Sequence, residues 1–161
     1  MKQLWAPWRM AYVGAEPTAT RGCFLCEAIA ASDNESSLVV DRAPLTITML
    51  NRFPYSSGHV MVVPTRHVHD PRELEPDEGA ALFAGAQCAL AAIDAALHPD
   101  GFNMGLNLGL AAGSSVEHMH LHVVPRWTGD TNFMPVLGTV KVLPELLETT
   151  ATRLREAFSD L

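Results

Sequence analysis

The residues Glu117-His118-Met119-His120-Leu121-His122-Val123-Val124 place three histidines at alternate positions of one apolar run. A period of two is that of a β-strand, whose successive side chains point to opposite faces. The spacing therefore predicts three imidazoles on one face and Met119, Leu121 and Val123 on the other. At ~3.3 Å per residue, neighbouring histidines stand ~6.6 Å apart and the outer pair ~13 Å apart. Two neighbours could converge on one metal ion, but all three could not without bending the strand, so a three-histidine zinc site is the weaker reading. The stronger one centres the chemistry on His120, with His118 and His122 in separate flanking roles. Neutral imidazole is a good nucleophile near neutral pH when its other ring nitrogen donates a hydrogen bond that fixes the tautomer. The chain has seven histidines, and three within five positions make chance a poor explanation. A lone histidine such as His69 or His98 reads equally well as a structural or surface residue.

Cys23-Phe24-Leu25-Cys26 is the second candidate site. A single Cys-x-x-Cys pair is half of a zinc site, a redox pair or a coincidence. The redox reading wants a preceding strand and a βαβ context, and neither is visible. Zinc needs two further ligands, which the histidines are numerous enough to supply as a Cys₂His₂ set. Three cysteines without an export signal predict no disulfide framework, and Cys88, alone in a helical pattern, is expected to be buried or half-buried.

The elements that must position these residues follow from periodicity and turn signals. A short helix is predicted from Cys26 to about Ala31, and a polar turn over Ser32-Asp33-Asn34-Glu35-Ser36-Ser37. Strand-like runs cover Leu38 to Val40, Leu45 to Leu50 and His59 to Val63, separated by Pro44, Pro54 and Gly58. Glu75-Pro76-Asp77-Glu78 reads as a helix start, with proline early and acidic residues in the first turn. Leu82, Ala86, Leu90, Ile93 and Leu97 form one apolar stripe to the stop at Pro99-Asp100-Gly101. Phe102 to Leu108 and Met119 to Val124 are further strands, and Pro144 to Phe158 is a last amphipathic helix. Grouped strands with short connections predict an α+β domain on an antiparallel sheet of about five strands.

At 161 residues and 17.4 kDa the chain is read as one domain. Residues 1–22 form an N-terminal arm, 23–143 the core and 144–161 the C-terminal helix. The formal net charge of −7 argues against broad binding to nucleic acid or to anionic membrane, though not against a small phosphorylated ligand. Met1 to Val13 is amphipathic rather than a signal peptide, and no apolar run is expected to reach the length of a membrane span. These features predict a soluble, cytoplasmic protein.

His118-Met119-His120-Leu121-His122-Val123-Val124 matches the alternating histidine and apolar pattern of the histidine triad family. The likeness extends through Asn51, Gly58-His59-Val60-Met61-Val62-Val63-Pro64, the cysteine pair and Asn107. Trp5-Ala6-Pro7-Trp8-Arg9-Met10 and the segment from Val124 to Pro135 resemble the branch that contains bacterial diadenosine-tetraphosphate phosphorylases. The resemblance implies that His120 attacks the α-phosphorus of a dinucleoside polyphosphate to give a nucleotidyl-histidine. Water or inorganic phosphate then releases the nucleotide, the branch resemblance favouring phosphorolysis over hydrolysis, with no catalytic cofactor. It also implies that His59 and His122 lie against the phosphate oxygens and that Ser115 assists the leaving group. Asn51 would contact the ribose, and Asn107, Gly113, Ser114 and Ser115 would lie near the phosphates. Many relatives have glutamine where this chain has Ser114. A structural zinc is implied on Cys23, Cys26, His67 and His118, with His69 as a substitute for His67. A symmetric homodimer is implied too, with Trp5, Trp8, Met10 and the Leu82 to Leu97 helix as interface material. The alternatives are a nucleoside phosphoramidase using the same His120, and a zinc-stabilised nucleotide-binding or signalling protein with little turnover.

Overall fold

The computed structural model describes residues 22–114, 116–130 and 145–161. The predicted α+β architecture is found. Five strands, β1 (Val39–Arg42), β2 (Thr46–Leu50), β3 (Val60–Pro64), β4 (Gly101–Gly105) and β5 (Leu121–Arg126), form one antiparallel sheet in the order β1-β2-β3-β5-β4. Among the described residues three helices longer than one turn accompany it: α1 (Phe24–Ala30), the long α2 (Pro76–Leu97) and the C-terminal α3 (Leu147–Ser159).

Period-two alternation sorts the strand side chains between two cores. Val40, Leu50, Val60, Val62 and Val123 pack with Leu82, Ala86, Ala89 and Ile93 of α2 and Ala151 and Leu154 of α3. Val39, Ile47, Met49, Met61 and Val63 pack on the opposite face against Leu25 and Ala28 of α1. A strand buried on both faces loses its polar alternation, which is why Val60-Met61-Val62-Val63 reads as a continuous apolar run.

Helix α2 begins as its sequence predicts, with Pro76 at the first position and Asp77 and Glu78 in the first turn. The Glu78 carboxylate accepts the Glu75 N–H at 2.9 Å, the side-chain half of a capping box. It also receives two bonds from Arg66 of the loop after β3, at 2.8 and 2.5 Å. The helix ends at His98, whose φ of 49° is left-handed. The predicted stripe faces the core, with Ala89 added to it. By length and composition this alanine-rich helix is apolar enough to cross a membrane, contrary to the expectation for the chain, but its stripe is packed against the sheet.

Other departures have local causes. Asn34–Ser37 is one helical turn instead of an irregular one, closed by a hydrogen bond from Ser37 Oγ to the Asp33 carbonyl at 2.8 Å. Arg42 and Arg155 hold the segment from outside: Arg42 donates to Asn34 Oδ1 at 2.7 Å and to the carbonyls of Ala28, Ile29 and Ala31 at the end of α1, and Arg155 donates to the carbonyls of Val39 and Asn34. Cys88 is exposed, because it falls on the solvent side of α2 rather than on the stripe.

The histidine run departs most. Strand β5 starts at Leu121, so of the three histidines only His122 lies in the sheet. The ladder with β3 reaches Val62↔Leu121 and stops short of Pro64, which has no N–H to continue it. Met119 N–H instead donates to the Val68 carbonyl at 2.8 Å, in the loop beyond β3. The apolar alternation survives this bend, since Met119 and Val123 both enter the α2 core.

Candidate functional site

Bending the run separates His118 from His120 and His122, and two clusters result. The first contains Cys23, Cys26, His67 and His118, whose ligand atoms all lie within 4.8 Å of one another. The cysteines flank the start of α1, His67 sits in the turn Pro64-Thr65-Arg66-His67, and His118 precedes β5. His118 Nδ1 is 3.6 Å from Cys23 Sγ and 3.5 Å from Cys26 Sγ, and His67 Nδ1 is 3.1 Å from Cys26 Sγ. Ligands at usual zinc bond lengths on a tetrahedron stand about 3.6 Å apart, sulfur to nitrogen. The His118 Nε2–H donates to the Pro64 carbonyl at 2.9 Å, which directs the lone pair on Nδ1 toward the sulfurs. A backbone acceptor behind a ligating imidazole is the usual outer support of a metal ligand. The Cys26 thiol is pushed above its ordinary value by burial and by the neighbouring Cys23 sulfur, an energetic cost that a cation between the sulfurs reverses. In donor chemistry, tautomer and spacing the four residues fit zinc.

The second cluster is His59, His120 and His122. His120 and His122 are buried but for 8% and 9% of their surface, and His59 is wholly buried. The hydrogen bonds assign each proton. His120 Nδ1–H donates to the His118 carbonyl at 2.9 Å, leaving the lone pair on Nε2. Burial holds the His120 imidazole below its ordinary pKa, so it is neutral near pH 7. Tyr55 N–H donates to His59 Nδ1 at 3.0 Å, so neutral His59 carries its proton on Nε2. His59 Nε2 lies 3.0 Å from His122 Nδ1 and donates to it, which puts the His122 proton on its own Nε2. The His120 and His122 rings meet edge to face at 4.7 Å. A nucleophilic lone pair on one ring therefore stands beside an N–H donor on the next. That pairing suits displacement at an electrophile whose substituent oxygens gain negative charge.

Of the remaining predicted residues, Asn51 donates its N–H to the His59 carbonyl at 2.9 Å, and Asn107 follows two residues after Gly105, the β4 partner of His122. Asn51 Oδ1 accepts the Phe53 N–H at 2.8 Å, closing a local turn. Asn107 lies after β4, half-buried. Gly113 adopts φ 86°, a left-handed conformation, where the short helical turn Leu110–Ala112 ends. Ser114 Oγ donates to the Val116 carbonyl at 2.8 Å. Ser115, the arm with Trp5, Trp8 and Met10, and the stretch 131–135 lie outside the described residues. His69 is exposed, 3.9 Å from the Glu117 carboxylate and outside the four-ligand cluster. Two contributors escape sequence reading. Tyr55 stacks on His59, ring centroids 4.9 Å apart and planes 14° from parallel, and Pro64 acts through its carbonyl. The only sequence sign of Tyr55 is its place four residues before His59 in a proline, serine and glycine turn.

Comparison with known proteins agrees with this geometry. The family model described as the HIT domain matches residues 32–129. An AP-4-A phosphorylase of Mycobacterium tuberculosis is 44% identical over 158 residues, 93% of this chain and 80% of that protein. The asymmetrical bis(5'-nucleosyl)-tetraphosphatase of Schizosaccharomyces pombe is 33% identical over 94 residues, 58% of this chain and 52% of that protein. Among solved structures, a zinc-bound histidine triad family protein from Mycobacterium smegmatis superposes with a TM-score of 0.70 at 28% identity. The match covers 86% of this chain and 94% of that one.

Proposed function

The chain is an enzyme of the HIT family, and on that premise we propose that it cleaves dinucleoside polyphosphates through a nucleotidyl-histidine, with phosphate as the preferred acceptor. The observation that carries this reading is the hydrogen bond from His120 Nδ1–H to the His118 carbonyl, which leaves Nε2 as a neutral nucleophile. In the first displacement the Nε2 lone pair forms a bond to the α-phosphorus, and the bond from phosphorus to the leaving polyphosphate oxygen breaks. Ser115 assists that departure by proton donation. In the second, an oxygen of inorganic phosphate attacks the same phosphorus, the P–N bond breaks and His120 is regenerated. His122 Nε2–H hydrogen-bonds the oxygens on which charge develops, and His59 holds His122 in the donating tautomer. Asn51 contacts the ribose, and Asn107, Gly113 and Ser114 line the phosphates. The identity to an AP-4-A phosphorylase supports phosphate over water as acceptor.

Cys23, Cys26, His67 and His118 would hold one zinc ion, whose four protein ligands make it a cross-link rather than a catalyst. Work in the cytoplasm fits two cysteines kept reduced as ligands. The acidic net charge of −7 leaves a nucleotide, not a nucleic acid or a membrane, as the partner.

Incubation with diadenosine tetraphosphate, with and without phosphate, tests the reading. Phosphate-dependent ADP plus ATP is the expected product pair, whereas AMP plus ATP means hydrolysis. His120→Asn should lower turnover by ~10³-fold or more while AMP still binds, as for loss of a covalent nucleophile. Comparable turnover in that variant would remove His120 from the mechanism.

A further inference from the structure

One peptide unit links the two clusters. The carbonyl of His118 accepts the His120 Nδ1–H at 2.9 Å, and the N–H of the same unit, on Met119, donates to the Val68 carbonyl at 2.8 Å. A peptide unit is planar, so a partner that fixes the direction of its N–H also fixes the opposed direction of its C=O. Both ends of this clamp adjoin the four-residue cluster. Val68 follows His67, and His118 both belongs to the cluster and donates its Nε2–H to Pro64. Drawing the four ligands together thus ties the loop 64–68 to residues 118–119, and the bond across that tie aims the acceptor for His120.

We propose that the Cys23, Cys26, His67 and His118 centre is a positioning device for the nucleophile. It holds the His118–Met119 peptide so that His120 keeps its proton on Nδ1 and presents Nε2 to phosphorus. The inference deepens the reading of His120 as nucleophile and rests on it. It differs from a merely structural role in what it leaves untouched. The main core, between the sheet and helices α2 and α3, contains none of the four ligands, and His67 is exposed. Cys23 packs against the smaller core on the other face, so losing the cross-link should lower the melting temperature while leaving the folded sheet, with His59 and His122, in place. What it releases is the orientation of one carbonyl, and with it the tautomer and rotamer of His120.

The test compares zinc-loaded protein, chelated protein, chelated protein with zinc restored, and His67→Ala. Nitrogen NMR of isotope-labelled histidine reads the His120 tautomer, with kcat, AMP affinity and the melting curve measured alongside. The loaded protein should show a single Nδ1–H form of His120. Chelation should give a tautomer mixture and a fall in kcat of about 10–100-fold, the scale of lost outer support, with AMP affinity kept within about twofold. Zinc should restore both in the wild type but not in His67→Ala. A His120 that stays in the Nδ1–H form without zinc overturns the proposal. So does AMP affinity that falls in step with kcat as the protein melts. Absence of dinucleoside polyphosphate turnover in loaded wild type would refute the functional reading alone, since the tautomer signal decides the positioning role without substrate.

Discussion

At His118 three polar groups of one residue have three different partners. Nδ1 faces two sulfurs, Nε2–H donates to Pro64, and the main-chain carbonyl receives His120. Spacing alone shows that three imidazoles on one run cannot share a point, which separates His118 from its neighbours. It does not show which nitrogen of each ring is protonated, because the deciding partners are backbone atoms brought in from distant segments. Glu78 is another residue whose role comes only from the fold. The Arg66 guanidinium and the Glu75 N–H hold its carboxyl down to about 2, against an ordinary 4.5. Because the folded-state value is the lower one, the stabilisation is complete above the ordinary value and is lost as pH falls through the folded one. Glu78→Gln should therefore be less stable than wild type at neutral pH. The gap in urea midpoint should narrow below pH 4.5 and close near pH 2. A gap that is the same at both extremes would dissociate Glu78 from acid sensitivity.

At the scale of elements, local signals go a long way and then stop at tertiary bonds. Pro76, Asp77 and the stripe from Leu82 to Leu97 define α2, because capping and amphipathicity are properties of consecutive residues. The strand β5 is misplaced toward its N-terminal side in the sequence, since alternation cannot reveal that Pro64 will end the ladder opposite it. Asn34–Ser37 and exposed Cys88 are likewise outcomes of packing. Gly58 joins the element and the site. Its φ of 76° is left-handed, and a β-carbon there would run into the Leu97 side chain of α2, one residue before His59. Gly58→Ala should cost about 1–3 kcal/mol of stability, and turnover should fall with it as His59 shifts. Gly101→Ala, where the added carbon meets nothing within 4 Å, should stay within about 0.5 kcal/mol. Equal urea midpoints for the two variants would contradict this account of the turn.

For the whole molecule, metal content and assembly are open to measurement. Elemental analysis of protein purified without added metal should find about one zinc per chain, and chelation should lower the melting temperature. Unchanged stability in metal-free protein would count against the centre. Light scattering at micromolar concentration should return about twice 17.4 kDa, in keeping with a homodimer. Exposed Phe83 on α2 and Met104 on the outer strand β4 offer apolar surface for it, and an active monomer would remove assembly from the mechanism. The atoms that assign protons to His59, His118 and His120 are the Tyr55 N–H and the carbonyls of Pro64 and His118, all of them main chain. An alanine scan leaves every one of those atoms in place. In lineages descended from such a chain, the side chain at 55 can drift while the histidine chemistry persists. The wiring is heritable as loop length and backbone path, and it is broken by a deletion, or by a proline at 55, more readily than by ordinary exchange of side chains.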